Sequence, residues 1–253
     1  MMTTEIRHLP SLDDANRQIA ALVVEKATTA VAESGIFTLV LSGGSTPRRL
    51  YEYLAAPPCG HRLPWSHTHI FWGDERCVPL ADPASNFAMA KQTLLAKVDL
   101  PAANIHRMPA ELQPPLAGAT AYEKELAKFF QARRPAGLGA AELPEFTPSF
   151  DLLLLGMGAD GHTASLFPGA ELLESGQGWV AATAAPQGFP AVHRLTLTLR
   201  VINAARWVIF LVSGREKAQL FELFRQDPDT AKRLYPAALV KPAGRLLWIF
   251  ADS

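Results

Sequence analysis

The amino-acid sequence predicts an α/β fold in which a mainly parallel β-sheet carries helices on both faces. Two observations lead to this prediction: short apolar runs of strand length alternate with amphipathic segments of helix length, and several of the runs end at glycines. Strands that alternate with helices form parallel sheets, because each helical crossover returns the chain to the same end of the sheet. The 253 residues, 49% of them hydrophobic, suit one domain, and we expect residues 1–253 to form it.

The first predicted helix follows Ser11, because Ser11, Asp13 and Asp14 match a helix N-terminus. Apolar residues then recur at helical spacing until Gly35: Ile19, Leu22, Val23, Ala27, Ala30 and Val31. A strand is predicted next, at residues 37–41. It stops at two glycines, and residues 47–55 are compatible with a second helix.

The same order of strand and helix continues to the end of the chain. Strands are predicted at residues 69–72, 105–108, 150–155, 195–199, 207–212 and 246–250, and the last of these is expected to close the sheet. Helices are predicted at residues 85–96, 119–133 and 216–224. Residues 135–144 are rich in glycine, alanine and proline, and we interpret them as a loop within the domain.

Charge and cysteine content exclude several classes of partner. The 24 basic and 24 acidic side chains cancel, so no overall field favours nucleic acid or an anionic membrane, and any phosphate site must be local. No segment approaches the ~18 apolar residues of a membrane span, and residues 1–8 lack the apolar stretch of a secretion signal. The two cysteines, Cys59 and Cys77, are too few for a disulfide framework. We expect a cytoplasmic protein that binds a small molecule, as a monomer or a weak homo-oligomer.

The motif SGGSTP at residues 42–47 has the features of an anion site. Gly43 and Gly44 let the backbone approach a ligand, Thr46 is expected to cap the next helix, and Pro47 suits its first position. Free N–H groups, the helix dipole and the hydroxyls of Ser45 and Thr46 would converge on an anion. A tight, capped turn without a ligand has the same signature. The spacing is not that of a Walker loop, which argues against a nucleoside triphosphate.

The motif GMGADG at residues 156–161 formally matches the dinucleotide fingerprint G-x-G-x-x-G after a strand. Its context argues against a nicotinamide cofactor, because Pro168 interrupts any long helix and no second strand ends in an acidic residue about 20 residues on. The glycines instead suit a crevice at the carboxyl end of a strand. There the backbone donors of Gly156 to Gly158 would stabilise an oxyanion, and Gly158 is a candidate substrate ligand.

His162 directly follows this motif. An imidazole titrates near neutral pH, so it can take a proton from water and return it to a leaving alkoxide. Asp160, two residues earlier, would orient the ring or stabilise its charged form. A single histidine is more often a structural hydrogen-bond donor, but the adjacent glycines and acid favour catalysis here.

Further charged candidates lie where other strands begin or end. The strand at residues 69–72 is followed by Asp74, a candidate substrate ligand, and by Arg76, which offers a planar fork of donors to an oxyanion. A solvated loop is the structural alternative for this segment. Arg194 and Lys217 are additional candidate anion ligands.

Neither a metal site nor a serine nucleophile is predicted. His61, His67 and His69 lie close together in the sequence, but no H-E-x-x-H motif or matching carboxylate accompanies them. A G-x-S-x-G elbow is also missing from the sequence.

Taken together, the segments closely resemble the 6-phosphogluconolactonase family. They are SGGSTP at 42–47, WGDER at 72–76, SN at 85–86, FDLLLLGMGADGHTASLFP at 150–168, RLT at 194–196 and GREK at 214–217. The resemblance covers nearly the whole chain, and the long central segment is its most specific part. It implies a modified Rossmann-like fold shared with glucosamine-6-phosphate deaminases, and hydrolysis of 6-phosphogluconolactone in the oxidative pentose phosphate pathway, with no redox cofactor.

The resemblance also implies roles for individual residues. By position, His162 would be the general base, Asp160 its partner, and Arg76 a group that orients the substrate or stabilises charge. The implied phosphate site comprises Gly43, Gly44, Ser45, Thr46, Arg194 and Lys217.

Two alternatives remain. Glucosamine-6-phosphate deaminases typically carry a glutamate five residues after the histidine, where this chain has Phe167, and their loop corresponding to residues 72–76 differs, so deamination is disfavoured. A non-catalytic sugar-phosphate sensor would need the anion site but not His162.

Overall fold

The computed structural model describes residues 3–132, 146–175, 178–186, 189 and 192–252. The loop predicted at residues 135–144 lies outside these ranges, as does Arg133 at the end of a predicted helix.

Within the described ranges the strands are β1 (Thr3–Leu9), β2 (Phe37–Leu41), β3 (Thr68–Trp72), β4 (Asp74–Arg76), β5 (Ile105–His106), β6 (Leu152–Leu155), β7 (Val180–Ala184), β8 (His193–Leu197), β9 (Trp207–Ser213) and β10 (Arg245–Ala251). The α-helices are α1 (Leu12–Ser34), α2 (Ser45–Ala55), α3 (Cys59–Arg62), α4 (Asn86–Thr93), α5 (Pro115–Gln131), α6 (Leu172–Ser175), α7 (Leu199–Ala204), α8 (Arg215–Gln226) and α9 (Pro228–Leu234).

The prediction of a mainly parallel sheet is confirmed. Seven strands form a sheet in the order β1-β10-β9-β6-β2-β3-β5, and every neighbouring pair is parallel. The central strands β2 and β6 are buried along their whole length, as expected for a sheet covered on both faces. Each fully buried leucine in them contributes about 1.5–3 kcal/mol of hydrophobic stabilisation.

Helix α1 packs against this sheet through one apolar face, which includes Ile19, Val23 and Ala27, all fully buried. The Ser11 hydroxyl accepts a hydrogen bond from the Asp14 N–H at 3.1 Å, so the predicted cap is confirmed. Gly35 ends the helix, also as predicted.

Several predicted boundaries are wrong. Helix α4 ends at Thr93 rather than at 96, because Leu94 leaves the helical conformation, and α5 begins at Pro115 rather than at 119. The strand predicted to reach Leu199 ends at Leu197, since Thr198 turns the chain into α7. The strand predicted at residues 246–250 is not at the edge of the sheet, because β1 pairs along the outer side of β10.

A second, antiparallel sheet was not predicted. Its strand order is β4-β8-β7, and β4 pairs with β8 so that Arg76 lies opposite Arg194. This small sheet follows directly from β3 through Gly73, whose carbonyl accepts a hydrogen bond from the Leu197 N–H at 2.8 Å.

The strand order determines where the predicted motifs meet. Four neighbouring strands, β9, β6, β2 and β3, are parallel and therefore end at one edge of the sheet. The segments that follow them are 214–217, 156–162, 42–46 and 73–76, which are the motifs of the sequence analysis. Among the described residues, no helix has both the length and the apolar character needed to cross a membrane.

Candidate active site

A cavity of about 210 Å³ lies at this edge of the sheet. Its lining includes every predicted site residue except Asp160: Gly43, Gly44, Ser45, Thr46, Asp74, Arg76, Gly158, His162, Arg194 and Lys217. Ser42, Pro47, Gly156, Met157, Ala164 and Leu211 complete it. The fold thus brings together residues that are up to 175 positions apart in the sequence, from Ser42 to Lys217.

The loop after β2 leads straight into α2 at one side of the cavity. Gly44 is the N-cap residue with φ 99° and ψ 174°, and no side chain caps the helix. The expectation that Thr46 is the cap is therefore wrong, and Pro47 is the third helical residue rather than the first. A positive φ is unfavourable for residues with a Cβ, which explains glycine at position 44. The first turn of α2 keeps backbone donors that an anion can use.

Tyr51 fixes this loop from within α2. Its hydroxyl accepts a hydrogen bond from the Ser42 N–H at 2.9 Å and donates one to the Ser42 carbonyl at 2.6 Å. The ring is fully buried, and burial raises the pKa of Tyr51 above its ordinary value. Sequence reasoning missed this residue, because nothing in a helical tyrosine signals that its hydroxyl returns to the preceding loop.

The loop after β6 holds the imidazole of His162. The Nδ1 atom of His162 lies 2.5 Å from Asp160 Oδ1, and the same oxygen accepts a hydrogen bond from the His162 N–H at 3.2 Å. A carboxylate at Nδ1 favours the tautomer with a proton on Nδ1, so that Nε2 can accept one. The predicted pairing of Asp160 with His162 is present in the structure.

Gly158 contributes space rather than a donor. Its N–H donates to the His162 carbonyl at 2.9 Å, and the Gly158 carbonyl accepts from the Gly161 N–H at 3.0 Å. The expectation that the Gly158 N–H stabilises an oxyanion is therefore wrong, since the turn itself uses that donor. A Cβ atom at position 158 would overlap both the His162 ring and the Asp160 carboxylate, which explains the glycine.

The charged residues of β4 alternate between two environments. Asp74 and Arg76 line the cavity, and the intervening Glu75 does not. The Glu75 carboxylate accepts hydrogen bonds from the N–H groups of Arg76, Asn86 and Phe87 at 2.7–2.8 Å. It thereby fixes the start of α4, and burial raises the pKa of Glu75 above its ordinary value.

Asp74 is held rigidly in the cavity wall. Its Oδ2 atom accepts a hydrogen bond from the Ser165 hydroxyl at 2.7 Å, and the Asn86 side-chain amide donates to its Oδ1 atom at 3.2 Å. Sequence reasoning gave no role to Ser165 or to the Asn86 side chain. The neighbouring Ala164 adopts φ 48°, a conformation that costs a non-glycine residue about 1–2 kcal/mol and that clusters at functional sites.

Arg76 and Arg194 form a pair of cations with spare donors. They are register partners across β4 and β8, and the Nε atoms of both are buried without a hydrogen-bond partner among the described residues. Burial, and then the nearby charge of Arg76, lower the pKa of Arg194. Both guanidinium groups line the cavity, so their combined positive charge would stabilise an anionic ligand.

An aromatic wall covers one side of the site. The Phe167 ring lies 5.0 Å from the His162 ring and 5.6 Å from the Arg194 guanidinium, and the Phe189 ring lies 5.4 Å from His162. Sequence reasoning considered position 167 only by resemblance and missed Phe189. Within the described ranges, no group of three or more His, Cys, Asp or Glu side chains is arranged to hold a metal ion.

The chain is similar to known proteins along most of its length. A family model described as glucosamine-6-phosphate isomerases/6-phosphogluconolactonase matches residues 10–248. A 6-phosphogluconolactonase from Synechocystis is 45% identical over 228 residues, which cover 90% of this chain and 87% of the relative. A 6-phosphogluconolactonase from Nostoc is 41% identical, with coverages of 90% and 87%. The crystal structure of 6-phosphogluconolactonase from Thermotoga maritima superposes with a TM-score of 0.79 at 31% identity, covering 99% of this chain and all of the other.

Proposed function

Since the chain belongs to the glucosamine-6-phosphate isomerase/6-phosphogluconolactonase family, we propose that it hydrolyses 6-phospho-D-glucono-1,5-lactone to 6-phospho-D-gluconate. This reaction is the lactonase step of the oxidative pentose phosphate pathway. The observation that carries the proposal is one cavity lined by the carboxylate-bound imidazole of His162, the uncapped start of α2 and the cationic Lys217. A phosphorylated ester needs both an anchor for its phosphate and a base for water.

Binding begins with the phosphate. The N-terminal turn of α2, the hydroxyls of Ser45 and Thr46, and the Lys217 side chain offer donors and positive charge to a dianion. The positively charged guanidinium of Arg194 lines the same cavity. Anchoring the phosphate restricts the position of the sugar, which lowers the entropic cost of the chemical step.

Water then attacks the lactone carbonyl. Asp160 holds Nδ1 of His162, so Nε2 takes a proton from the water while the water oxygen bonds to C1. The carbonyl oxygen becomes an oxyanion. The guanidinium of Arg76, which lines the cavity, stabilises that charge in place of the occupied Gly158 N–H, and one preorganised donor is worth about 3 kcal/mol.

Ring opening completes the reaction. The bond between C1 and the ring oxygen breaks, and the imidazolium returns its proton to the departing ring oxygen. The products are a carboxylic acid, which ionises, and a free hydroxyl, so the reaction releases one proton to the solution.

The released proton provides the test. Stopped-flow measurement with a pH indicator on freshly generated 6-phosphogluconolactone should show acceleration well above spontaneous hydrolysis. Unphosphorylated gluconolactone is the matched substrate control and should react with much lower kcat/KM. Lys217→Ala should lower kcat/KM for the phosphorylated lactone about tenfold or more and leave the unphosphorylated one nearly unchanged.

Two outcomes would refute the proposal. A sensor would bind 6-phosphogluconate without accelerating acid release, and a deaminase would release ammonia from glucosamine 6-phosphate. Against deamination, the ring that packs on His162 belongs to Phe167, which has no carboxylate.

We also propose that the chain forms a single domain and is located in the cytoplasm. One cluster of buried hydrophobic residues includes side chains from α1 to β10, which supports a single catalytic domain over residues 1–253. Cys59 and Cys77 are both free thiols, as suits the reducing cytoplasm. Cell fractionation of the native protein tests the location.

A further inference from the structure

The outer edge of the seven-stranded sheet is an exposed strand. Strand β1 pairs with β10 on one side along all seven of its residues, and among the described residues β1 is the end of the strand order. Thr3, Thr4, Glu5, Ile6 and His8 are exposed, and Ile6 retains 37% of its surface. An exposed strand edge is a template for pairing with another strand.

The direction of the free backbone groups follows from one hydrogen bond. The Leu9 carbonyl accepts from the Asp252 N–H at 3.3 Å, so the backbone groups of Leu9 point towards β10. Along a strand these groups alternate between the two sides. Those of Thr3, Glu5 and Arg7 therefore also face β10, while the N–H and C=O groups of Thr4, Ile6 and His8 face outwards.

These outward groups favour one register with a second copy of the same strand. In an antiparallel pair centred on Ile6, each Ile6 faces the Ile6 of the other copy, and each Thr4 faces a His8. This register matches outward-facing residues only with outward-facing residues and uses all three of them. Ile6 and its counterpart would lie side by side and bury exposed apolar surface.

The charges on β1 fit the same register. Glu5 of one copy lies directly opposite Arg7 of the other, and by two-fold symmetry the pair occurs twice. Edge strands are usually protected by charges of one sign, which repel a second copy. Here the two charges are opposite, lie two residues apart on one face and already pair within the chain at 2.6 Å. The strand is therefore self-complementary rather than self-repelling.

We propose that β1 is a homodimer interface, in which two copies of this chain join their sheets edge to edge through an antiparallel β1–β1 pair centred on Ile6. The contact of two short strands is small, so the dimer is weak, with a Kd between about 1 µM and about 1 mM. The partner is a second copy because hydrogen-bond direction, register and charge all match under the same two-fold axis.

Charge reversal tests the proposal without disturbing the fold, since Glu5 and Arg7 are surface residues outside the candidate active site. Sedimentation velocity from about 10 µM to about 1 mM should show reversible dimerisation of the native chain. Glu5→Arg or Arg7→Glu places like charges opposite each other and should raise the Kd about tenfold or more. The double variant Glu5→Arg/Arg7→Glu restores opposite charges and should return the Kd to within about threefold.

Asp229→Arg is the matched control, because it reverses an exposed charge on α9 and should leave the Kd unchanged. Amide hydrogen exchange provides an independent measure: protection of Thr4, Ile6 and His8 should increase with protein concentration, while that of Glu5 and Arg7 should not. A sedimentation coefficient that stays at the value of the monomer over the whole range would overturn the proposal. So would a dimer that tolerates both single reversals, or one that the double variant does not recover.

Discussion

The two glycine-bordered loops after β2 and β6 lie side by side at the same edge of the sheet and use their backbone groups in opposite ways. The loop after β2 enters α2 without a side-chain cap, so the N–H groups of the first turn of α2 have no side-chain acceptor and can bind an anion. The loop after β6 uses the N–H groups of Gly158 and Gly161 in hydrogen bonds within its own turn. The first loop is suited to hold an anion, and the second to hold a side chain. Similar glycine patterns therefore do not imply similar functions.

The comparison predicts that His162 can be removed without loss of phosphate binding. His162→Ala should lower kcat by about 10²–10⁴, the usual contribution of a general base. The Kd for 6-phosphogluconate, measured by calorimetry, should stay within about twofold because the loop after β2 is untouched. If kcat survives the substitution after correction for spontaneous hydrolysis, His162 is not the base.

A matched pair of glycine substitutions should distinguish the catalytic role of the loop after β6 from the binding role of the loop after β2. Gly158→Ala forces a Cβ against His162 and Asp160, and a displacement of the base by about 1 Å costs roughly 10²-fold in kcat. Gly44→Ala has room for the Cβ but strains a backbone with φ 99°, so it should mainly raise KM. Steady-state kinetics on both variants measure these changes in kcat and KM. Equal effects of the two substitutions on kcat would contradict the division of roles between the loops.

The carboxylate behind the base should have a smaller effect. Asp160→Asn weakens a charge-assisted hydrogen bond to Nδ1, worth about 1.5–3 kcal/mol, and kcat should fall roughly 10- to 10²-fold with little change in KM. The control is Asp229→Asn, which removes an exposed carboxylate on α9, outside the candidate site, and should leave kcat unchanged. Unchanged kcat in Asp160→Asn would show that the ring is oriented by other contacts.

The smallest effect on turnover is expected at Tyr51. Tyr51→Phe leaves the N–H and C=O groups of Ser42 buried without their partner, which should cost about 1–3 kcal/mol in the free energy of unfolding. Urea denaturation measures this cost, with Tyr235→Phe as the control, since the Tyr235 ring packs on Phe224 and its hydroxyl has no hydrogen-bond partner in the described part of the chain. If both variants lose the same free energy of unfolding, the hydrogen bonds of Tyr51 do not specifically stabilise the loop after β2.

The sequence was sufficient to predict every strand of the parallel sheet except β1, which forms one of its edges. Strands β2, β6, β9 and β10 are mostly apolar, because both faces of a central strand are covered. Strand β1 has exposed polar residues around Ile6 and resembles an irregular terminus. Its pairing depends on β10, which lies more than 200 positions away, so local pattern could not reveal it.

For the candidate site, sequence reasoning identified most of the residues that line the cavity and the support of His162 by Asp160, but not the support that Tyr51 and Ser165 give to other parts of the wall. The glycines, His162 and Arg76 follow strand ends, and that position can be recognised in a sequence. The contact of Ser165 with Asp74 joins residues 91 positions apart, and it exists only once the sheet has formed. Which donors remain free also depends on the folded turn, as the occupied Gly158 N–H shows.

The most direct test of the central claim is a crystal structure of the complex with 6-phosphogluconate. We expect the phosphoryl group within hydrogen-bonding distance of the first-turn N–H groups of α2 and of Lys217, and the carboxylate carbon within one bridging water of Nε2 of His162. A phosphoryl group bound away from residues 43–46, or a carboxylate beyond the reach of a single water from His162, would contradict the account.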